Sequence, residues 1–506
     1  MHVHNELRAA LCDTSRRSRR PVCHSAVEDI VAAPVLTSTE HFIAGDRVVG
    51  TGERIEVVNP ATEQVIATIP AGTAAEADAA VEAAAAAFPA WAATPVELRA
   101  EVVGRIADGL KARAEELAAT ITAEVGTPIT FASRVQVPNP IAIATGVVRA
   151  VADGVLADQQ VGNSLVVREP IGVVAAITPW NFPVQQIIAK LAPALVAGCT
   201  VVLKPSEVAP LNAGVLTEVL AAAGVPSGVV NLVHGTGPVV GEVLASHPKV
   251  DMVSFTGSTR AGRRVSALAA ATVKRVSLEL GGKSAHVVLA DADLAKAVKL
   301  TVGNSFMNNG QACSAWTRLL VPSSRHEEAV ALAAAAAEKY VPGDPTSPAT
   351  RLGPLVSATQ RERVLAHIRA GIEQGARLAC GGPEPVDGLD LGYYVRPTVF
   401  GGVRQDMTIA NEEIFGPVLS VLPYETEDEA VEIANATIYG LAGGVFSADE
   451  DRALAVARRL RTGQVDLNGA AFNVLAPFGG YRQSGNGREF GRFGVEEFCE
   501  LKAIQR

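Results

Sequence analysis

A cysteine set among small residues and amides is the first candidate for chemistry in this sequence. Cys313 stands in the segment NNGQACSAW, residues 308–316. A free thiol titrates near ~8.5, so a cysteine nucleophile needs a base, a positive dipole or nearby donors to become a thiolate. Gly310 permits close approach of the backbone, and Gln311 offers an amide. The alternative, a small buried apolar side chain, stays open here because most lone cysteines are of that kind.

A candidate base for such a nucleophile lies in VSLELGGK, residues 276–283. In a strand, Ser277 and Glu279 point to the face opposite Leu278. A carboxylate half-buried at the carboxyl end of a strand is a suitable general base, because desolvation raises its pKa toward neutrality. The alternative is a glutamate that faces solvent on an edge strand.

A candidate oxyanion donor lies in ITPWNFPVQQ, residues 177–186, which joins a strand to a helix through two prolines. The prolines stiffen the loop, so the amide of Asn181 can be a preorganised donor to a developing oxyanion. The alternative is a turn asparagine that caps the following helix.

Two further segments are typical of nucleotide binding. Lys204 and Glu207 follow the strand 199–204 directly, and a glutamate there can accept hydrogen bonds from ribose hydroxyls and repel a 2′-phosphate. The segment 255–262, FTGSTRAG, reads as a strand, a tight turn and the start of a helix. The backbone amides and dipole of such a helix start suit a pyrophosphate.

The elements that must position these residues form an alternating series. Buried strands are predicted at 171–178, 199–204, 228–233, 252–256 and 274–280, each separated by a helix-length segment. Such alternation predicts an α/β fold with a parallel sheet covered on both faces. Ligands bind at the carboxyl edge of such sheets.

A second alternating series begins at 286–290 and runs to about residue 468. The chain closes with a strand-like run, 498–505, which has nothing after it to pair with. Because unpaired edges invite association, addition of this strand to another subunit is one use for it. Nearer the start, Thr73 and Glu76 predict a capping box at the beginning of a helix.

Composition excludes several classes of protein. The chain has 506 residues, 48% hydrophobic, which favours two or three domains. A net charge of −9 argues against nucleic-acid binding. The stretch 191–203 is too short to span a membrane. Six scattered cysteines indicate neither a disulfide framework nor a metal site, and a cytoplasmic protein is expected. We interpret residues 1–39 as a disordered extension or as the product of an upstream start codon. The alternative is a basic arm that binds a partner.

Together these segments resemble the aldehyde dehydrogenase superfamily, in order, from about residue 41 to 506. The matching pieces are PWNFP (179–183), KPSE (204–207), FTGST (255–259), ELGGK (279–283), GQAC (310–313), EEIFGPV (412–418) and PFGGYRQSGNGRE (477–489). One such piece is weak evidence, whereas seven in family order are strong.

The resemblance implies oxidation of an aldehyde to the acid with NAD, and NADP is also possible. Cys313 would form a thiohemiacetal, with the Asn181 amide and its own backbone N–H holding the oxyanion. After hydride transfer to the nicotinamide, Glu279 would activate the water that hydrolyses the thioester. Lys190 matches a supporting, proton-relaying position. The positions matching cofactor contacts are Trp180, Lys204, Glu207, Gly257, Ser258, Leu280, Glu413 and Phe415.

The family fold implies two doubly wound parallel-sheet domains and a small bridging sheet. Its expected parts are a nucleotide-binding domain (40–149 and 170–284), a catalytic domain (285–489) and bridging elements (150–169 and 490–506). A homodimer or homotetramer follows by analogy.

Two departures from the family pattern concern the site. Arg482 replaces a common lysine, and Trp316 is bulkier than the usual small residue, which leaves the pocket geometry open. The residues that match the substrate tunnel are Phe182, Phe306, Met307 and Phe478. Their apolar character predicts an uncharged aliphatic or aromatic aldehyde as the small-molecule partner. The alternatives are a CoA-acylating semialdehyde dehydrogenase, which typically lacks a base at 279, and a non-catalytic protein on the same fold.

Overall fold

The computed structural model describes residues 36–37 and 40–506. The predicted extension, 1–39, lies outside the described residues except for a two-residue strand.

The strands are β1 Leu36–Thr37, β2 His41–Ile43, β3 Asp46–Val48, β4 Arg54–Val58, β5 Val65–Pro70, β6 Gln159–Val161, β7 Ser164–Pro170, β8 Val173–Ile177, β9 Thr200–Lys204, β10 Val230–Leu232, β11 Met252–Thr256, β12 Arg275–Glu279, β13 Ala285–Val288, β14 Arg318–Pro322, β15 Arg377–Cys380, β16 Thr398–Gly401, β17 Val418–Tyr424, β18 Gly443–Phe446, β19 Asp466–Leu467, β20 Gly485–Asn486 and β21 Cys499–Gln505.

The α-helices are α1 Ala74–Ala92, α2 Val96–Ala112, α3 Ala114–Val125, α4 Ile129–Phe131, α5 Pro138–Ala152, α6 Pro183–Ala197, α7 Leu211–Ala222, α8 Glu242–Ser246, α9 Thr259–Ala269, α10 Leu294–Ser305, α11 His326–Ala337, α12 Ala358–Glu373, α13 Thr408–Asn411, α14 Glu427–Asn435, α15 Glu450–Ala457 and α16 Gly491–Glu496.

The first large sheet contains the predicted parallel strands in the order β12-β11-β8-β9-β10. Antiparallel strands extend it at both ends, β20 beside β12 and the β2–β3 pair beside β10. Thr256 lies opposite Glu279, and Ile177 lies opposite Lys204. The register therefore brings the predicted base and the predicted nucleotide-binding lysine to the same carboxyl edge.

Helix α6 connects β8 to β9 through the interior, and all of its residues are buried. Pro183 stands in its first turn, where a missing N–H is tolerated, and Gly198 ends it with a φ of 100°. Glu76 and Thr73 form the predicted capping box at the start of α1. Among the described residues, no helix combines the length and the apolar character needed to cross a bilayer.

The second large sheet has the order β15-β16-β17-β14-β13-β18-β19, parallel throughout except for β15. Apolar side chains from α10 and α11 pack on one face, and those from α12, α14 and α15 pack on the other. The α/β class with two doubly wound sheets is therefore confirmed.

A third, antiparallel sheet has the order β21-β7-β6. The terminal strand, for which the sequence offers no later partner, pairs along its whole length with the earlier strand Ser164–Pro170 of the same chain. Its other edge remains unpaired within the described residues. The domain boundaries remain predictions. Strand β20, from the segment predicted as catalytic, joins the first sheet beside β12.

Candidate active site

The loop before Cys313 has an unusual backbone. Asn308, Asn309 and Gly310 follow one another with φ values of 49°, 62° and 75°. Asparagine tolerates this left-handed region better than most residues, and glycine is required at 310. A Cβ atom on Gly310 would lie 2.1 Å from the backbone carbon of Gly416. The loop thus packs too closely against its neighbour for any side chain there.

Buried amides fix this loop. The Asn308 Nδ2 donates to the carbonyl of Asn181 at 2.8 Å, and its Oδ1 accepts from the Thr127 hydroxyl at 2.6 Å. The Gln311 Oε1 accepts from the backbone N–H of Val356 at 2.9 Å. Because buried polar groups left without partners are costly, these bonds favour one loop conformation. That conformation sets the position of the thiol.

Cys313 lies in the wall of two cavities, one of about 150 Å³ and one of about 660 Å³. The smaller cavity is also lined by Asn181, Glu279 and Glu413. The larger is lined mainly by apolar and aromatic side chains. A reactive sulfur with separate spaces on two sides can meet two ligands at once.

The half-buried Cys313 thiol lies in surroundings that disfavour its thiolate form. Burial, followed by the nearby carboxylates of Glu413 and Glu279, raises the pKa of this thiol. A thiol in such surroundings becomes a nucleophile only when a base removes its proton during attack.

Asn181 is placed as an amide donor. Its side chain is buried, and Nδ2 donates to the carbonyl of Gln311 at 3.1 Å. An amide nitrogen carries two hydrogens, so one N–H remains for a ligand in the smaller cavity. The alternative that Asn181 caps α6 through its side chain is wrong, because the residue before that helix is Phe182 and no side chain caps it.

Glu279, at the carboxyl end of β12, is more buried than the sequence predicts. Its exposure is 3% rather than about half, and neither carboxylate oxygen has a hydrogen-bond partner among the described residues. Burial, then repulsion from Glu489, raises its pKa well above the usual value, against the opposing effect of Lys190. An unpartnered carboxylate with a raised pKa is typical of a general base.

Lys190 forms a buried ion pair behind the smaller cavity. Its Nζ lies 2.5 Å from Oε1 of Glu489 and 2.6 Å from the hydroxyl of Thr256. Both charged side chains are almost completely buried. Lys190 therefore contacts the cavity wall through Thr256 and affects Glu279 through its charge.

Two aromatic rings and a carboxylate form the outer part of the smaller cavity. The rings of Trp180 and Phe415 meet edge to face with centroids 5.4 Å apart. Phe415 has a φ of 60°, a strained value for a large side chain. Glu413 accepts a hydrogen bond from the N–H of Gly282 at 3.0 Å, and burial raises its pKa to about 7. A Cβ on Gly281 would lie 2.2 Å from this carboxylate, so glycine is required there.

A second ion pair lies at the carboxyl edge of the first sheet, where the sequence predicts nucleotide binding. The Lys204 Nζ contacts Oε2 of Glu207 at 3.1 Å and donates to the carbonyls of Pro205 and Gly235. Ser258, the N-cap of α9, accepts from the N–H of Ala261. Leu280 and Gly257 line the smaller cavity between this edge and the thiol.

These residues fit a dinucleotide. The edge offers a partly accessible carboxylate for ribose hydroxyls, a helix start for phosphate, and an aromatic pocket that contains orphaned carboxylate oxygens. Each matches one part of the cofactor in charge and hydrogen bonding.

The larger cavity contains three of the four residues predicted to line the substrate tunnel. Phe182, Met307 and Phe478 lie in its wall. Phe306 does not, and this prediction is wrong. Its side chain is fully buried in the apolar core of the second sheet and packs edge to face on Tyr340. Tyr340 lines the cavity instead.

Several residues of the site were missed by the sequence analysis. Gln186 lies in the wall of both cavities, and its buried Oε1 has no partner among the described residues. A polar residue in an otherwise apolar helix was the available signal. Glu489 had no local signal, because its partner Lys190 is 299 residues away. Gln360 and Arg363 line the smaller cavity from α12.

The two departures from the family pattern have different surroundings. Arg482 donates to the carbonyls of Asn435 and Thr437 at the surface. Trp316 is buried and lines the larger cavity, where its ring stacks on His286.

Comparison with known proteins gives a consistent result. The sequence model of the aldehyde dehydrogenase family matches residues 48–504. The chain is 50% identical to 3-succinoylsemialdehyde-pyridine dehydrogenase of a Pseudomonas species, covering 92% of this chain and 98% of that protein.

Solved structures agree. A variant of aldehyde dehydrogenase C from Pseudomonas syringae, in complex with NAD+ and octanal, superposes with a TM-score of 0.91 at 50% identity, covering 92% of this chain and 96% of that one. The Mycobacterium tuberculosis aldehyde dehydrogenase in complex with NAD+ has a TM-score of 0.90 at 42% identity, covering 93% and 98%.

Proposed function

The chain belongs to the aldehyde dehydrogenase family and is an NAD-dependent enzyme that oxidises aldehydes, and we propose that it works by a hydrolytic mechanism with Cys313 as covalent nucleophile. The observation that carries the proposal is the position of Cys313 in the wall of both cavities. Aldehyde enters the larger cavity, and the nicotinamide enters the smaller one.

In the first step the sulfur of Cys313 attacks the aldehyde carbonyl carbon and forms a thiohemiacetal. The thiol proton must leave as the bond forms, since the raised pKa of the thiol disfavours its thiolate form. Glu279 accepts this proton, because its unpartnered carboxylate lies in the wall of the same cavity and has a raised pKa.

The negative charge that develops on the carbonyl oxygen needs preorganised donors. The free N–H of Asn181 and the backbone N–H of Cys313 supply them, and the amide network of Asn308 holds both in place. One such donor is worth a factor of roughly 10² to 10³ in rate. NAD, when bound, accepts the hydride that leaves the tetrahedral carbon, and Cys313 is left as a thioester.

Hydrolysis completes the cycle. Glu279 first releases the thiol proton to solvent, and its carboxylate then removes a proton from water as the water oxygen adds to the thioester carbonyl. The carbon–sulfur bond then breaks, the proton returns to the sulfur, and the carboxylic acid leaves. The charges of Lys190 and Glu489, which form a buried ion pair, shift the pKa of Glu279 in opposite directions.

The cofactor is held by residues of the carboxyl edge. Glu207 and Lys204 would bind the adenosine ribose. Ser258 and Gly257 would bind the pyrophosphate, and Glu413 would bind the nicotinamide ribose. The side chains that surround the nicotinamide are Trp180, Leu280 and Phe415. The carboxylate of Glu207 favours NAD over NADP, because it repels a 2′-phosphate.

The substrate is an uncharged aliphatic or aromatic aldehyde. Phe182, Met307 and Phe478 give the larger cavity an apolar wall beside Cys313. Three charged residues of this cavity, Lys296, Lys299 and Arg351, are exposed, whereas the fourth, Asp466, is half-buried and accepts a hydrogen bond from Gln464.

Assembly and location are also part of the proposal. The enzyme forms a homodimer or homotetramer through the open edge of β21, where Leu501 is 68% exposed and Ile504 is 42% exposed. Free cysteines in the described chain suit a cytoplasmic enzyme. The nucleotide-binding, catalytic and bridging segments keep the boundaries predicted from the sequence.

One assay tests this function. Purified protein is incubated with NAD and a panel of aldehydes, with and without CoA, while reduced cofactor and released acid are measured. Turnover without CoA and equal amounts of both products are expected. Strict dependence on CoA would assign the acylating alternative, and the absence of turnover despite NAD binding would remove the catalytic proposal.

A further inference from the structure

Trp316 forms a fixed part of the wall of the larger cavity. It follows Cys313 by three residues, is 4% exposed, and lines the cavity beside the nucleophile. Its indole ring stacks on the imidazole of His286 with centroids 4.4 Å apart and planes 22° from parallel. The ring face is therefore covered by the protein.

Three contacts hold this stack in position. His286, fully buried on β13, pairs through Nδ1 with the hydroxyl of Thr301 at 2.7 Å. The backbone N–H of Trp316 donates to Oδ1 of Asn304 at 2.8 Å. A Cβ on Gly444 would lie 2.7 Å from Cδ2 of His286 and 3.0 Å from Cζ2 of Trp316. Only glycine at 444 leaves space for both rings.

The indole N–H is the polar group that this arrangement leaves free. The Trp316 Nε1 donates to no acceptor among the described residues. In this it differs from the Nε1 of Trp91, which also lacks a partner but is completely buried in the core. Trp316 is otherwise buried and lines the larger cavity, so a ligand in that cavity is the partner within reach of this donor.

We propose that Trp316 is the specificity-determining residue of the substrate cavity and selects aldehydes that carry a neutral hydrogen-bond acceptor, such as a ketone, on the chain behind the reacting carbonyl. The inference rests on the proposed function, since it concerns the substrate of the same nucleophile. His286 and Gly444 act as positioning residues that keep the indole N–H aimed at the substrate.

The selection has a physical basis. An aldehyde that carries an acceptor gives the indole N–H a hydrogen-bond partner in place of solvent. An aldehyde without one excludes solvent and leaves the donor unpaired, which is unfavourable. A rigid donor makes the difference larger, because the ring cannot turn toward another partner.

The test uses matched aldehydes. In each pair one member has a ketone, and the other has a methylene at the same place, with the ketone moved along the chain from pair to pair. Wild type is expected to prefer the ketone member of at least one pair. Trp316→Phe keeps the aromatic ring and removes the donor, so kcat/KM for that ketone should fall by about 3- to 10-fold. The methylene partner should change by less than about twofold.

Two further variants make the result decisive. Trp91→Phe removes a similar indole N–H from the core outside the cavity, and it should leave the preference unchanged. Gly444→Ala keeps the indole but displaces the stack, so it should also reduce the preference and serves if Trp316→Phe does not fold. Rates are normalised to active sites measured from the burst of reduced cofactor.

The outcomes separate this inference from the proposed function. An equal loss for both members of a pair, or no loss for either, would overturn the role of the indole N–H. An absence of preference in wild type would overturn it as well. No turnover by wild type with any aldehyde would instead reject the mechanism, whatever the variants do.

Discussion

The Nζ atom of Lys190 lies 2.5 Å from Oε1 of Glu489, and both charges affect the buried carboxylate of Glu279 in opposite directions. The ammonium lowers the pKa of Glu279, whereas the Glu489 carboxylate raises it. The protonation of the proposed base thus depends on a pair of residues that the sequence separates by 299 positions.

This relationship predicts two opposite shifts in pH dependence. Deacylation requires ionised Glu279, so its rate rises as pH rises through that pKa. Lys190→Met should move this limb to higher pH and Glu489→Gln to lower pH, each by about 1 unit. The measurement is the pH profile of thioester hydrolysis in single-turnover experiments. Shifts in the same direction would contradict the charge argument.

Lys190→Met should also destabilise the fold, because it leaves Glu489 as an unpaired buried carboxylate. Loss of one partner of a buried pair lowers the free energy of unfolding by about 3–5 kcal/mol. The control is Lys249→Met, which breaks the exposed Lys249–Glu82 pair and should change stability by less than about 1 kcal/mol. Thermal unfolding of both variants beside wild type measures the difference.

Cys313→Ala should abolish aldehyde turnover without loss of NAD binding. The thiol is the proposed covalent nucleophile, and the smaller cavity keeps its other walls in the variant. Cys380→Ala, on strand β15, is the matched control and should retain activity. NAD affinity by calorimetry and turnover by absorbance of reduced cofactor are the two readouts. Residual turnover above about 1% of wild type would assign the attack to another group.

Glu279→Gln should separate the two half-reactions at high pH, where hydroxide can take the thiol proton that the amide cannot accept. The amide cannot deprotonate water, so the thioester should accumulate after one burst of reduced cofactor equal to the active sites. Steady-state turnover should fall by roughly 10² to 10⁴. Glu412→Gln, an exposed neighbour of the cavity loop, is the control. Normal steady-state turnover in Glu279→Gln would remove the residue from its role.

Glu207→Gln should relax the choice of cofactor. The uncharged amide no longer repels a 2′-phosphate, and Lys204 loses its carboxylate partner. We expect kcat/KM for NADP to rise by roughly 10-fold, while that for NAD falls. Glu207→Asp retains the charge and should keep the preference. Equal use of NAD and NADP by wild type would contradict the argument.

Glu124 predicts a pH-dependent contribution to stability away from the site. It accepts hydrogen bonds from the backbone of Leu211 and Asn212 at the start of α7, and burial raises its pKa from 4.5 to about 7. The folded state therefore holds an extra proton between these values. The resulting stability is fully present below pH 4.5 and is lost as pH rises through about 7.

The measurement compares wild type with Glu124→Gln, which lacks this titration. The unfolding free energy of wild type relative to the variant should fall by about 3 kcal/mol between pH 4.5 and 8. Glu115→Gln, an exposed change on the same helix, should show a constant difference. A constant difference for Glu124→Gln as well would contradict the prediction.

Local pattern was sufficient for the parallel strands and their carboxyl edge. The runs around Val174, Val202 and Val253 are almost continuously apolar, which is the signal that predicts strands buried on both faces of a parallel sheet. The pairing of β21 with β7 was not accessible in this way. Strand partners are chosen by tertiary packing, and the two strands are more than 300 residues apart.

The same limit explains the errors at the site. Phe306 and Met307 are neighbours in sequence, yet one is in the core of the second sheet and the other faces the cavity. Phe306 follows the last residue of helix α10, whereas Met307 begins the next turn, and the sequence does not fix that boundary to one residue. The space for Trp316 depends on Gly444, 128 positions later, which no local reading could connect to it.

The presence of Cys313 in the walls of two cavities has a kinetic consequence. Under the proposed function, aldehyde and dinucleotide occupy these two separate cavities, so neither ligand fills the space of the other. Raising the aldehyde concentration should therefore leave the apparent competition between NAD and its reduced form unchanged. Exchange of the spent cofactor can proceed while the acyl group is still attached to the enzyme.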